Sequence, residues 1–235
     1  MTRRRWIADE ISGDRAALLG AQAQHLARVL RARISQEFDV VAEGRVRRGR
    51  IVSITPERVE FELSEELPAV ALPAITLLLA IFKFDRMEWA IEKATELGVA
   101  RLVPLIAKRT DVHLASAASK RVERWRRIAR EAAQQSRRVA PPDIVAPAQL
   151  QEALELAAGR RVVLSESEDQ VPLKQAVAGF KGPLALAVGP EGGWAAEEEH
   201  AFCEHGWIAA SLGPTVLRAE TAAIAATSIV IAEMI

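Results

Sequence analysis

The chain reads as an α/β protein in which a small β domain precedes a larger parallel-sheet domain, and three observations predict this. From Ile75 onward, apolar runs alternate with segments of helical periodicity, the pattern of βαβ units wound around a parallel sheet. Before about Glu66 the apolar segments are short, rich in Val, Ile and Phe, and punctuated by turn residues, as in a compact β domain. Between the two lies a stretch bounded by prolines, residues 68–73, that fits a linker. The expected domains are residues 1–70 and 74–235.

Each element follows from local pattern. Residues 21–31 are amphipathic, with Leu26, Val29 and Leu30 on one side and Arg28 and Arg31 left to solvent. Strands are expected over 38–42, 45–54 and 58–63, separated by turn signals at Glu43-Gly44 and Thr55-Pro56. In the second domain strands are expected over 75–82, 101–107, 161–164, 184–188 and 208–212. Asp85 and Glu88 resemble a helix-starting cap, and that helix stops at Gly98. Residues 120–138 place Val122, Trp125, Ala129, Ala132 and Ala133 on one face and Arg121, Arg124, Arg127 and Arg130 elsewhere, giving a basic helix. The last helix, from about Glu220, is apolar on nearly every face. It therefore needs cover all round, which a subunit interface would supply.

Composition narrows the function. With 235 residues, half of them hydrophobic, the chain can bury a sizeable core. Cys203 is the only cysteine, which argues against a disulfide or a cysteine-rich zinc cage and suits a cytoplasmic protein. His25, His113, His200 and His205 are scattered, so no metal site is expected. No apolar stretch follows the basic start at Arg3, Arg4 and Arg5, as a secretion signal would require. The apolar run 222–235 is shorter than the ~20 residues that span a bilayer and contains Glu233, so no membrane is expected as partner.

The zero net charge conceals segregation. Residues 108–138 hold 10 Lys or Arg against 3 acids, residues 25–50 hold 7 against 3, and residues 150–235 hold 5 against 12. A polyanion such as RNA is the natural partner for the basic segments, and Arg5, Arg28, Arg31, Arg109 and Arg138 are the candidate contacts. The same arginines would also serve as solvated helix and strand faces. Aromatic content is 5% with no Tyr, so recognition by backbone and shape is favoured over base stacking.

The chemistry concentrates where strand 184–188 runs into Gly189-Pro190-Glu191-Gly192-Gly193-Trp194. In an open α/β sheet ligands sit outside the carboxyl ends of the strands, and glycines there let main-chain N–H groups approach a ligand with no Cβ in the way. The arrangement recurs after strand 208–212, with Gly213-Pro214 and then Leu217-Arg218-Ala219-Glu220-Thr221 opening the last helix. Two such bends at neighbouring strand ends can share one ligand. Neither the G-x-G-x-x-G spacing nor a Lys-Ser/Thr pair is present, so a neutral, adenosine-like ligand fits better than NAD or ATP phosphates.

These blocks, with His25-Leu26-Ala27-Arg28-Val29-Leu30-Arg31, Lys83, Lys93-Ala94-Thr95-Glu96-Leu97-Gly98-Val99, Glu131-Ala132, Gln135-Ser136, Arg138 and Leu212-Gly213, resemble the ribosomal RNA small subunit methyltransferase E family of the SPOUT superfamily. The resemblance spans nearly the whole chain. It implies a PUA-like barrel followed by a trefoil-knotted SPOUT domain, a homodimer, S-adenosylmethionine as donor, and methylation of uridine N3 in the decoding region of 16S rRNA of the small ribosomal subunit. Carried onto this chain, the donor pocket comprises Gly189, Pro190, Glu191, Gly192, Gly193, Leu212, Gly213, Leu217, Arg218 and Thr221, with Leu164, Ser165 and Glu166 as a third wall. Ala219 stands where Thr is common and Arg137 where Gly is common.

For such a reaction the N3 proton must leave, and a cation that stabilises the anionic ring assists. Arg218 is the candidate cation, with Glu220 orienting it or the ligand; a structural ion pair between these two is the alternative. At the level of function, the alternatives are a non-catalytic RNA-binding assembly factor of the same fold and an enzyme that binds another nucleotide.

Overall fold

The structure is a computed structural model that describes residues 5–156, 158–168 and 170–235, so the basic start at Arg3 and Arg4 lies outside the described residues. The chain divides into two compact units. The first comprises residues 1–71 and 133–141, the second residues 72–132 and 142–235. Residues 133–141, which no local pattern marks as separate, thus group with the amino-terminal unit.

The first unit contains β1 (Arg5–Ile7), β2 (Glu10–Ser12), β3 (Arg15–Leu19), α1 (Gly20–Gln24), a π-helical turn (His25–Val29), β4 (Glu37–Ala42), β5 (Arg45–Ile54) and β6 (Arg58–Leu67). The strands form one sheet in the order β1-β4-β5-β6-β3-β2, antiparallel except for β1 beside β4. Val59, Phe61 and Leu63 alternate inward along β6 and join Trp6, Leu18, Leu26, Val40 and Ile51 in one core. Gly49 in β5 is required by packing, since a Cβ there would lie 2.6 Å from Val40.

Two expectations for this unit need correction. Strand β6 extends to Leu67 rather than 63, because Val46 pairs with Leu67 beyond a bulge. Of the apolar residues expected to share a face, Leu26 is buried, but Val29 and Leu30 are exposed, because the π-helical turn breaks the 3.6-residue spacing.

The second unit contains β7 (Ile75–Ala80), α2 (Phe84–Leu97), β8 (Arg101–Ile106), α3 (Val112–Ala118), a 3-10 turn (Ser119–Arg121), α4 (Val122–Gln135), β9 (Asp143–Ile144), β10 (Ala148–Gln149) and α5 (Leu150–Leu154). Beyond these come β11 (Arg160–Leu164), α6 (Leu173–Val177), β12 (Leu184–Val188), α7 (Ala196–Glu204), β13 (Ile208–Ala210) and α8 (Ala219–Met234). The strands are parallel in the order β10-β8-β7-β12-β11-β13, with β9 also on β8. A parallel sheet is covered on both faces, which is why β12 is buried at every position. Leu77 and Leu79 pack with α2 and α8 residues such as Ile91 and Val230, while Leu78 and Ala80 pack with Phe202 and Trp207 on the opposite face.

Helix α2 closes at Gly98, whose φ of 116° is open to glycine and strained for other residues. Its amino-terminal cap is Lys83 without a side-chain hydrogen bond, and Asp85 lies in the first turn rather than capping it. In α8, Ala223, Ala226, Thr227 and Val230 are buried, whereas Ile224, Ile229 and Ile231 are only partly covered, so this chain alone does not enclose the helix. Because β12 lies between β7 and β11, and β13 flanks β11, the carboxyl ends of β11, β12 and β13 open side by side.

Candidate active site

The three loops leaving those strand ends enclose a cavity of about 540 Å³. One wall is Leu164, Ser165 and Glu166, continuing through Ser167 and Glu168; another is the first bend, Gly189, Pro190, Glu191, Gly192 and Gly193; the third is the second bend, Leu212, Gly213, Leu217 and Arg218. Arg86, Arg109, Trp194 and Glu199 also line it. Glu220 and Thr221 are not part of the lining; Thr221 is exposed on α8 and Glu220 is buried.

The first bend is a closed structure. The Gly193 N–H donates to the Pro190 carbonyl at 2.9 Å, and Gly193 has a φ of 70°, which glycine takes without a Cβ penalty. The Trp194 indole Nε1 donates to the Leu164 carbonyl at 2.9 Å, tying the bend to the end of β11. Its ring packs under Gly189, where an added Cβ would come within 3.2 Å of it. Arg109 crosses from the loop after β8 and donates to the Gly192 carbonyl at 2.6 Å. A buried carboxylate, Glu198, accepts from the backbone N–H groups of Lys108 and Ala195, so the start of α7 and that loop share one anchor.

The second bend is open by contrast. Among the described residues, the backbone N–H groups of Leu212, Gly213, Thr215, Val216 and Leu217 meet no protein acceptor. Orphaned main-chain donors beside a cavity need water or a ligand. Arg218 caps α8 with an extended backbone, is exposed at the cavity, and forms no ion pair among the described residues.

The expected orientation of Arg218 by Glu220 is not what the structure contains. Glu220 faces Arg86 instead, at 3.6 Å, and Arg86 also donates to Glu191 at 3.3 Å. Glu220 is buried in the first turn of α8 beside Arg86, whereas Arg218, at the cap that precedes this turn, is exposed, so the two do not meet. On the wall formed by residues 164–168, Ser165 and Ser167 donate to one oxygen of Glu199, at 2.7 and 3.1 Å. Sequence reasoning missed Arg86, Trp194, Ser167, Glu168 and Glu199. For Arg86 a signal existed: the first turn of a helix that follows a parallel strand lies on the ligand-binding edge.

The candidate RNA contacts are dispersed in character. Arg28 and Arg31 are exposed on the first unit, and Arg31 has a positive φ of 51°. Arg5 donates to the Arg137 carbonyl at 2.5 Å. Arg138 is only 9% exposed, and burial pushes its guanidinium down to about 10. The arginines of β5 are spent on neighbours: Arg45 pairs with Glu66, Arg47 with Asp14, Arg48 with Asp39 and Arg50 with Glu62. The basic count over residues 25–50 therefore overstates the positive surface. Among the described residues, no group of three or more His, Cys, Asp or Glu could hold a metal ion, and no helix is long and apolar enough to cross a membrane.

Fold and cavity together define the class: residues 70–231 match the family model of an RNA methyltransferase domain, and residues 18–64 that of an RNA methyltransferase PUA domain. The ribosomal RNA small subunit methyltransferase E of Aquifex aeolicus is 31% identical over 232 residues, which cover 94% of this chain and 96% of that one. Its counterpart in Synechocystis is 32% identical over 91% of this chain and 72% of its own. The chain belongs to the ribosomal RNA small subunit methyltransferase E family.

Among solved structures, that enzyme from Neisseria gonorrhoeae bound to S-adenosyl methionine superposes with a TM-score of 0.80 at 28% identity, covering 96% of this chain and 95% of its own. A Legionella pneumophila protein in complex with SAM gives 0.85 at 29% identity, covering 98% and 96%. The parallel-sheet methyltransferase domain after a PUA-like β domain that the sequence leads one to expect is observed.

Proposed function

We propose that this chain transfers a methyl group from S-adenosylmethionine to N3 of a uridine in the decoding region of 16S rRNA, acting in the cytoplasm as a homodimer on the small ribosomal subunit or its RNA. One observation carries the reading: two glycine-bearing bends, at the ends of β12 and β13 on either side of β11 rather than on adjacent strands, line a single cavity, and one of them offers main-chain donors with no protein acceptor among the described residues. The cavity fits an adenosine-bearing donor. It is walled by backbone at Gly189, Gly192, Gly193 and Gly213, and a Cβ at Gly189 would crowd the Trp194 ring that supports the bend. The residues that would hold the donor are Leu164, Ser165 and Glu166, residues 189–193, and Leu212, Gly213 and Leu217. In this reading residues 1–70 are an RNA-binding domain, residues 74–235 a knotted catalytic domain, and Thr221 serves helix α8 rather than the donor.

Bound there, S-adenosylmethionine supplies an electrophilic methyl carbon and a neutral thioether leaving group. The chain contributes alignment and charge. Arg218, exposed at the cavity and without an ion pair among the described residues, stabilises the negative charge of a uracil ring whose N3 has lost its proton. Arg109 is spent on the first bend through Gly192 and serves the pocket's shape, while Arg28 and Arg31 are the exposed contacts for RNA phosphate. Dimer formation covers the partly exposed apolar residues of α8, and light scattering at micromolar concentration should give twice the monomer mass.

Calorimetry with S-adenosylhomocysteine tests the core of the proposal. Saturable binding is expected, and none at millimolar ligand would remove it. Mapping modified nucleotides in RNA from cells lacking the protein tests the finer part: one N3-methylated uridine should disappear from 16S rRNA. An unchanged map would overturn that assignment.

A further inference from the structure

Arg86 approaches a carboxylate beside each of the two bends. It projects from the first turn of α2, lines the cavity, and is held between two carboxylates from distant parts of the chain. Its Nη1 lies 3.3 Å from Glu191, inside the first bend, and 3.6 Å from Glu220, in the first turn of α8 just after the second bend. Glu220 is 6% exposed, and its other carboxylate oxygen is buried with no hydrogen-bond partner.

A buried carboxylate with one orphaned oxygen depends on its cation, because losing the cation leaves the charge uncompensated. Among the described residues the second bend has no internal backbone hydrogen bonds to fix it, so the placement of α8's first turn sets where that bend ends. We infer that Arg86 is a positioning residue: its guanidinium clasps Glu191 to Glu220 and thereby holds the two bends in register around one methyl donor. The inference rests on the donor-binding reading above and adds to it a residue that meets the bends' flanking carboxylates.

The geometry makes the clasp a three-body unit with one cation and two carboxylates. One nitrogen, Nη1, approaches both carboxylates, and lysine in place of Arg86 has a shorter reach and no planar group to hold its ammonium at that point. Charge alone should therefore restore only part of the function. Because one guanidinium serves both carboxylates, removing either end should be coupled to removing the centre.

The test uses the full chain, with S-adenosylhomocysteine as probe, and measures its affinity, its dissociation rate and the shift it causes in thermal unfolding. Arg86→Gln and Glu220→Gln should each weaken binding about tenfold and speed dissociation, with KM for RNA unchanged. The double variant Arg86→Gln/Glu220→Gln should be no weaker than the worse single variant, and Arg86→Lys should recover only part of the loss. Since Arg86→Gln alone strands a buried carboxylate and can fail to fold, the double variant, which removes both charges, decides in that case. A folded double variant that binds as tightly as wild type overturns the inference, as do losses that simply multiply.

A purely structural role would lower the unliganded melting temperature and leave the ligand-induced shift intact; that outcome also overturns it. A wild-type chain that binds no donor would sink the methyltransferase reading itself. Wild-type binding with unaltered variants sinks only the clasp.

Discussion

The two bends of the cavity have similar sequences of glycine, proline and apolar residues, yet they are built differently. The first is closed by its own Pro190–Gly193 hydrogen bond, backed by Trp194 and held from outside by Arg109 and Arg86. The second has no backbone hydrogen bonds among the described residues, and Val216 at its tip is 78% exposed. On the proposed reading, the contrast would divide the labour between a preformed wall that selects ligand shape and an open wall whose donors a ligand satisfies. Preorganised groups cost no reorganisation on binding, whereas an open loop contributes affinity only after its ordering entropy has been met.

The largest expected effect lies on the open side. Arg218→Ala should lower turnover at least ~100-fold while sparing S-adenosylhomocysteine affinity, as loss of a charge that acts on the methyl acceptor would. Steady-state kinetics with RNA and calorimetry on the same preparation check it; undiminished turnover would show that the open bend carries no chemistry. On the closed side, Gly189→Val places a branched side chain where even a Cβ meets Trp194 at 3.2 Å. Overpacking of this kind costs ~1–3 kcal/mol, or roughly 5–150-fold in donor affinity if the strain is relieved by displacing the bend. Equal affinity in the variant would mean that the first bend is as adaptable as the second.

Hydrogen exchange probes the contrast directly. Amides of residues 212–217 should exchange fast in the free protein and gain about tenfold protection on saturation with S-adenosylhomocysteine, while Gly193 should be protected in both states. Similar exchange at Gly193 and Val216 in the free protein would break the comparison.

How far the sequence could be read is governed by the same physics. Strand β12 was legible because a fully buried parallel strand has to be apolar throughout, and β5 because its bounding turns are marked by Glu43-Gly44 and Thr55-Pro56. Strands β1 to β3 were not, since segments of three to five residues owe their pairing to partners far along the chain, such as Leu18 against Val59. The glycine bends were legible as local patterns. Glu199 and Ser167 were not, because each enters the cavity by spatial convergence of separate segments, while Arg86 was marked only by its place in the first turn of a helix that follows a parallel strand. Charge counting failed in a specific way: it registers neither the glutamates opposite the β5 arginines nor the burial of Arg138.

The smallest expected effect comes from the rim of the closed side. Lys108 Nζ reaches Glu197 at 2.8 Å, and this hydrogen bond holds the Glu197 carboxyl below the usual carboxylate range. A depressed folded-state value gives stabilisation that is present above the unfolded carboxylate range and is lost as pH falls through the depressed value. Both side chains are exposed, so solvent and salt screen the pair. Lys108→Ala should therefore shift only the acid limb of the stability curve, by an amount that disappears in high salt, and should leave donor affinity within about twofold. The backbone N–H of Lys108, which donates to Glu198, survives the substitution. Thermal unfolding across the acid range and calorimetry near neutrality measure the two effects separately. A larger loss of affinity would mean that the first bend is held from its charged rim rather than by the hydrogen bonds at Gly193, Trp194 and Glu198, and its rigidity would then be a property of ionic strength.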